Sequence, residues 1–450
     1  MTHREAIAKT LREHNQPMHC ALVAKRAVAR GWLRSASADP CDVVSSTLRR
    51  GCRWPVAEFF RIRAGVYGLA SWLRKKIRRT VRKQLREQGF VVGPNDTIIG
   101  TGHLDKGQIR AIHQYARKLK WGENEDFVNA NGERLIRYFA NGDELCVSRF
   151  QPRVVLVESG TLEADLFRFS TLLWSVPVSH GFGRRTRFVV FDDSNNRLVG
   201  LFALGDPVFN LRIRDEWIGW DHSQRADRLF NVMDVFVLGA VPPYNELLCG
   251  KLMALLAASN EVRETIRARY AGRPTIIRGE AKDPRLVLLT TTSALGRSSL
   301  YNRLKVEGRL IYQRIGLTEG WGHFHLCNGT FEAMKRYLEA IDHPVVCAHQ
   351  YGSGPNWKIR VGRTCLVELG MSPDLLKHGV RRELYAVCLA SNFREFLCGE
   401  ARDPIPLDMP ARKFVEYFKD RWMVGRAARE ANYAAHDRAS VLKAIYASAN

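Results

Sequence analysis

Residues 185–205 read RTRFVVFDDSNNRLVGLFALG. Two mostly apolar runs, 185–192 and 197–205, flank Asp193-Ser194-Asn195-Asn196. Asp, Ser and Asn hydrogen-bond their own backbone in turns, so the stretch reads as a β-hairpin. Its neighbours alternate in kind. VVLVES (154–159) is a strand and LEADLFRFSTLLW (162–174) a helix on the near side. NVMDVFVLGAV (231–241) is a buried strand and NELLCGKLMALLAAS (245–259) a helix on the far side. PRLVLLTTTSA (284–294) is a further strand, SSLYNRLK (298–305) a short helix, and RLIYQRIG (309–316) and HFHL (323–326) closing strands. Periodicity thus predicts a mixed α/β domain, of class α/β (α+β), from about residue 151 to 345.

The chain around it is strongly cationic. Of 450 residues, 69 are Lys or Arg and 46 Asp or Glu, a net charge of +23. Residues 1–90 hold 20 basic residues against 6 acidic ones, so a fifth of the chain carries over half the excess. Arg74, Lys75, Lys76, Arg78, Arg79, Arg82, Lys83 and Arg86 run without an intervening acid. A cluster this dense repels itself unless phosphates neutralise it, which implies a nucleic acid; a solvated helix face is the bland alternative. Hydrophobic residues make up 46%, enough for real cores. No apolar run approaches the ~20 residues of a spanning helix, and MTHREAIAKTLREHNQ has no signal-peptide core. The ten cysteines form no C-x-x-C pair and read as reduced thiols, so the expectation is a cytoplasmic protein with DNA and no membrane as partner.

Before the core, residues 3–14 and 18–30 suit two short helices, and Asp39-Pro40 opens a third that ends at Arg49-Arg50. Phe60, Ile62, Tyr67 and Leu69 flank Ala64-Gly65 as a hairpin. Three helices and a basic hairpin is the order of a winged helix, whose third helix enters the major groove. Pro17-Met18, Thr47-Leu48 and the closing set Phe59, Arg61, Gly65, Tyr67, Leu69 resemble the HARE-type helix-turn-helix over residues 1–72. The nucleic-acid candidates are Arg49, Arg50, Arg53, Arg61 and Arg63, with Arg74, Lys75, Lys76, Arg78, Arg79, Arg82 and Lys83 from the basic helix and linker at 73–96. A helical connector spans 97–150. After the core come a basic C-terminal α/β subdomain at 346–425, with helices expected at 379–397 and 411–422, and a polar, Ala-rich tail at 426–450.

The order strand, helix, hairpin, strand, helix, strand, helix, strands resembles the GNAT acyltransferase fold. Longer motifs carry a closer resemblance, to the DruA family of the Druantia anti-phage system, over about 150–425. They are Leu-Gly-Asp-Pro (204–207), Arg-Asp-x-x-Ile-Gly-Trp (214–220), Leu-Gly-Ala-Val-Pro-Pro-Tyr-Asn (238–245), Gly-Lys-Leu (250–252), Thr-Thr-Thr-Ser-Ala-Leu-Gly-x-Ser-Ser-x-Tyr-Asn-Arg (290–303) and Gly-Ser-Gly-Pro-Asn-Trp-Lys (352–358). That resemblance implies a DNA-binding defence component working with other proteins of the system, such as a helicase. The alternatives are a non-catalytic DNA-recognition scaffold and an accessory protein of a transposable element. At the level of fold the core is also similar to Mom, a phage DNA-modifying protein, which implies a core that modifies nucleobases.

The GNAT resemblance puts an acyl-CoA-like donor at Asn245, Gly250 and Lys251, on the amides of a helix start, although Leu248 crowds the loop. It places Tyr301 as a general acid, with a buried core tyrosine as the plain alternative. Asp215, Glu216 and Asp221, packed with Trp217 and Trp220, suggest a base-stacking pocket with a proton acceptor, or else a loop pinned by Arg214. Trp357 and Lys358, after Gly352 and Gly354, suggest a phosphate cradle with a stacking ring, or a tight turn into a strand. Two weaker readings remain. His323, His325 and Cys327 would share one strand face and could hold zinc. Glu280-Ala281-Lys282 matches the tail of a Mg-dependent nuclease motif, without a clear upstream Asp-bearing strand.

Overall fold

The computed structural model describes residues 1–34, 39–55, 57–99, 104–176, 178, 183–275, 279–326, 329–347 and 355–447. It divides into two compact units, Met1–Thr101 with Trp321–Gly379, and Gly102–Gly320 with Val380–Asn450.

The first unit begins with α1 (His3–His14), α2 (Cys20–Ala29) and α3 (Pro40–Gly51). Thr2 and Glu5 form a capping box on α1, and Asp39 caps α3 with Pro40 in its first turn, as the sequence predicts. Ile7, Leu11, Val23, Ala27, Val44 and Leu48 meet in one core. A three-stranded sheet closes it, with β1 (Met18–His19) pairing β3 (Val66–Leu69), and β3 pairing β2 (Phe59–Arg63). Gly65, at φ +74°, makes the turn, and a Cβ there would lie 2.4 Å from His19 Nε2.

Helix α4 (Ala70–Glu87) follows directly from β3. Ala70, Ile77, Val81 and Leu85 recur at helical spacing and are buried, so the charged positions fall on the other faces. The later segment of this unit supplies the helices Gly329–Ala340 and Pro355–Glu368. Tyr337, fully buried, accepts a hydrogen bond from Arg74 Nε (3.3 Å), and Gln88 Nε2 donates to the His325 carbonyl (2.8 Å).

The second unit is built on a seven-stranded sheet. Its strands are β4 (Pro152–Leu156), β5 (Arg185–Asp192), β6 (Arg197–Gly205), β7 (Val232–Ala240), β8 (Leu288–Thr292), β9 (Gln313–Leu317) and β10 (Glu383–Cys388). The order across it is β9-β10-β8-β7-β6-β5-β4. The β7–β8 pair is parallel and every other pair antiparallel. The helix Cys249–Ala257 joins Met233, Val235, Phe188 and Phe202 in one core, and Leu166, Phe169, Val189 and Leu201 form another. Gly200 lies so close to β7 that a Cβ would sit 2.6 Å from the Gly239 carbonyl oxygen and 2.9 Å from Ala240 Cα. Gly200→Ala therefore pushes against the β7 backbone as well as against Met253 Sδ (2.8 Å). We expect it to lower stability by about 1–3 kcal/mol in urea melts, with the fold retained.

Several expectations are corrected. Residues 379–397 are not one helix; Glu383–Cys388 is strand β10, between β8 and β9, followed by the helix Phe393–Leu397. Leu384, Tyr385, Ala386 and Val387 are all buried, and a strand covered on both faces has no alternation to betray it. Residues 299–303 form turns instead of a helix, with the Ser298 hydroxyl accepting from the amides of Leu300 and Tyr301 at 3.2 and 3.1 Å, and Lys305 begins a two-residue strand. The run 309–316 is broken at Ile311-Tyr312, where Tyr312 turns inward to donate to the Ala254 carbonyl (2.9 Å). Phe324–Leu326 is one turn of 3₁₀ helix, so His323 and His325 do not share a strand face; Cys327 lies outside the described residues. The 426–450 stretch is no loose tail, since Ala439–Ala447 is a helix that buries Val441 and Ile445. The units also cut across the linear domain series. The chain leaves the sheet after β9 and returns at β10, and residues 321–379 in between fold with 1–101.

Candidate functional site

The first unit presents a cationic surface. Arg49 and Arg50 are exposed at the end of α3, Arg53 just beyond it, and Arg61 and Arg63 on the wing strand β2. On α4, Arg74, Lys75, Lys76, Arg79, Lys83 and Arg86 are exposed and Arg78 and Arg82 half-buried. Two of these have acidic partners. Arg82 donates to Asp96 at 2.7 and 3.0 Å, and Lys83 lies 3.6 Å from Glu87. Lys75, Lys76, Arg78, Arg79 and Arg86 form no ion pair with another described residue. Ser71, Arg74, Lys75, Arg78, Arg79 and Arg82 line a shallow groove of about 420 Å³. Such a row of uncompensated cations is suited to a polyanion. Trp357 does not join them as a stacking ring. It is buried in the helix Pro355–Glu368 against Phe331, 5.6 Å between ring centres, because that helix turns it into the unit's interior. Lys358 Nζ lies 5.6 Å from the same Phe331 ring, and Gly352 and Gly354 fall outside the described residues.

In the second unit the residues read as a base pocket hold one another. Arg214, wholly buried, donates to Asp215 Oδ1 (2.9 and 2.7 Å) and to the carbonyls of Val208 and Phe209 (2.8 and 2.9 Å). Asp215 also accepts from the Leu211 amide, Trp220 Nε1 and Arg225 Nη1. Its oxygens are thus committed to the loop 208–225. Asp221 caps the helix His222–Arg228 in a box with Gln224. Glu216 points outward beside Arg212 (3.7 Å). Trp217 is stacked on Phe393 at 5.2 Å and covered by Arg394. The pinned-loop alternative accounts for all of these contacts. Lys282 of the nuclease-like triplet is held by the carbonyls of Ala226 and Asp227, while Glu280 is exposed.

The helix start at 245–251 is likewise engaged. The amides of Asn245, Glu246, Leu248, Cys249 and Lys251 donate to carbonyls of the same turn. Leu248 adopts φ +63°, and a Cβ on Gly250 would lie 3.1 Å from Leu300. Lys251 Nζ rests 5.2 Å from the Trp422 ring, and burial, with Arg421 beside it, pushes its pKa down. A pyrophosphate would have to compete with these internal partners. Tyr301 is buried between Tyr312 (4.7 Å) and Tyr385 (5.1 Å) and shares a hydrogen bond with Thr291; burial pushes it up to about 12. Close by, Glu383 is held by Arg314 (2.8 Å), Tyr385 and the Ser298 amide. These outweigh its burial and keep its carboxyl low.

The residue that pattern reading missed is Asp234. The β7–β8 ladder runs through Val232, Met233 and Asp234, and one step on Thr291 Oγ1 donates to the Val235 carbonyl (2.8 Å); further along, β7 is laddered with β6. A bulge follows at once, with Leu204 opposite Val235 and Ala203 opposite Val237, so Phe236 is left over. Asp234 Oδ1 accepts from Thr290 Oγ1 (2.9 Å), and Arg185 lies over the Phe236 ring at 3.8 Å. Burial raises the Asp234 carboxyl to about 6, against the opposing pull of Thr290, Arg214 and Arg185. The available signal was a single acid inside the apolar run VMDVFVLGA. A carboxyl raised on folding contributes most below its unfolded value of 3.8, and the contribution is lost as pH rises to about 6. We therefore expect Asp234→Asn to gain stability relative to the parent as pH rises from 4 to 6.5, by on the order of 2 kcal/mol, read from urea midpoints.

With this geometry in hand, comparison with known proteins places the chain. A winged helix with an arginine- and lysine-rich extension, in a chain that also carries a mixed sheet, defines the class. Residues 1–72 match the HARE-HTH family, a helix-turn-helix domain whose description names ASXL and restriction endonucleases. Residues 103–399 match the family described as Druantia protein DruA. The curated Druantia protein DruA of Escherichia coli (strain UMEA 4076-1) is 41% identical over 359 residues, 80% of this chain and 89% of that protein. This chain belongs to the DruA family. No solved structure matches it. Among the described residues no helix is long and apolar enough to cross a membrane.

Proposed function

We propose that the chain is the DNA-binding component of a Druantia-type anti-phage defence system. The observation that carries this is α4. It continues the winged helix and bears five cations without an ion pair to any described residue. In this reading α3 and the wing approach the bases and groove, and α4 tracks the phosphates. Membership of the DruA family supports defence over transposition, and other proteins of such a system, with a helicase as the resemblance implies, are the proposed partners. A cytoplasmic location follows from the DNA target.

For the core, the sheet order with its single parallel pair supports the GNAT-like reading. The internally bonded amides at 245–251 weigh against an acyl-CoA-like donor at that loop. The scaffold alternative is favoured by Asp215, Glu216 and Asp221, whose contacts are with their own loop and helix.

Fluorescence anisotropy with a labelled 30-base-pair duplex and a 30-nucleotide single strand tests the central claim. Binding should be measurable at 50 mM salt and fall by at least 10²-fold at 200 mM. A chain that ignores both oligonucleotides in dilute buffer overturns the proposal.

A further inference from the structure

A cavity of about 400 Å³ opens in the second unit where β8 begins and β10 ends. β7 and β8 run parallel, so this is the end of the sheet opposite the helix start at 245–251, which follows β7. Small-molecule sites typically enclose ~300–1,000 Å³, so there is room for one small ligand. The floor is aliphatic. Leu286 and Val287 lead into β8, Leu389 and Ala390 leave β10, and all four are buried. Pro404 and Pro406 line the cavity from a loop, and the helix Asn260–Tyr270 lines it with Arg263, Glu264 and Arg267.

The frame is held from several sides. Arg263, half-buried, donates through Nη1 to the carbonyls of Leu389 and Leu407 (both 3.1 Å) and through Nη2 to Asn260 Oδ1 (3.0 Å). It thereby ties the helix to β10 and the loop. Arg285, also in the lining, is paired with Asp283 (2.8 Å) and Asp403. Those two guanidiniums are walls. Arg267 and Glu264 are exposed, and neither forms an ion pair or side-chain hydrogen bond with another described residue. The cavity thus offers one uncommitted guanidinium, one uncommitted carboxylate and an apolar floor. The loop also excludes a class of occupant. The N–H groups of Ile405 and Leu407 are bonded to Asn392 and Leu389, and the two prolines have none, so a peptide adding a strand here finds no donor on 404–407.

We propose that this cavity binds a nucleoside monophosphate unit. The phosphate sits on Arg267, whose planar fork matches its oxygens. The base lies against the aliphatic floor, and Glu264 accepts from an N–H or O–H of base or sugar. Because Arg263 and Arg285 are engaged, the site has charge for one phosphate and not for a chain of them. A bare phosphate gains nothing from the floor and meets the Glu264 charge. A free nucleotide and a nucleotide of a strand share this chemistry. The site does not rest on the DNA reading above, which is carried by α4.

Isothermal titration of the full chain with the four ribonucleoside 5′-monophosphates, their nucleosides and inorganic phosphate tests the site. At least one monophosphate should bind roughly 10-fold tighter than its nucleoside and than inorganic phosphate. Arg267→Gln should weaken that monophosphate by roughly 10-fold, to the level of its nucleoside. Arg267 is exposed and lies off the buried Val262–Ile266–Tyr270 face, so the thermal midpoint without ligand should not move. Absence of binding up to about 5 mM overturns the site. So does unchanged affinity in the Arg267→Gln protein, or inorganic phosphate binding as tightly as the nucleotides. A 5′-phosphorylated single strand separates the two sources. If the strand is the ligand, it displaces the mononucleotide and its own binding falls with Arg267→Gln; if the free nucleotide is, the strand leaves it bound. A parent that binds a mononucleotide but no oligonucleotide removes the DNA reading and leaves this site standing.

Discussion

Replacing Lys75, Lys76, Arg79 and Arg86 together by Gln should weaken duplex binding by roughly 10²-fold at 100 mM salt. The slope of log K against log salt should become shallower by about 3–4. Each phosphate contact releases about one counterion, so the slope counts the cations in use, whereas affinity alone does not. These four side chains are exposed and lie off the buried Ile77–Val81–Leu85 face of α4. The fold should therefore be unaffected, with a thermal midpoint within a few degrees of the parent. Gln is chosen over Glu so that any loss reports missing attraction and not new repulsion. Arg412 and Lys413 serve as controls, since their charges are matched by Glu416 and Glu307 (2.8 and 2.7 Å). Their replacement should leave the slope where it was. A quadruple variant with the parent's slope would show that the cations of α4 are a solvated face and that DNA, if bound, is held elsewhere.

That surface was legible in the sequence for physical reasons. Charge is carried by residue type, and the helical spacing of Ile77, Val81 and Leu85 states which sides of α4 face water. The winged helix was legible through its caps, Asp39-Pro40 above all, and through the Gly65 turn. The 185–205 hairpin showed itself through turn residues between apolar runs. What failed has long-range causes. Strand β10 is buried on both faces, which leaves no periodicity to read, and the break at Tyr312 follows from its hydrogen bond to the distant Ala254 carbonyl. The excursion of residues 321–379 from the sheet to the first unit is a matter of long-range packing, invisible to any local window. The site followed the same division. Residues chosen for chemical type alone, Asp215 and Asp221, proved to be bonded within their own loop and helix. Asp234 is set apart by its pairing with Thr290 of a strand whose register sequence cannot locate.

The second large effect lies at Asp215. Asp215→Ala should lower the stability of the second unit by about 3–5 kcal/mol, because it leaves Arg214 wholly buried with two carbonyls and no hydrogen-bonded counter-charge, only the field of Asp234. The Trp220 indole and the Leu211 amide lose their acceptor in the same step. Asp215→Asn keeps an oxygen for those donors but removes the charge, so its loss should be clearly smaller. Replacing the pair, Arg214→Met with Asp215→Leu, removes the stranded ion and should recover part of the stability that Asp215→Ala forfeits. Urea melts followed by far-ultraviolet circular dichroism, one curve per variant, give the order parent, Asn, double variant, Ala, or parent, double variant, Asn, Ala. In either case Ala comes last. Should Asp215→Ala melt within 1 kcal/mol of the parent and still abolish protection from phage, the carboxylate would be acting on a ligand, and the loop 208–225 would have to be read as a site instead of a brace.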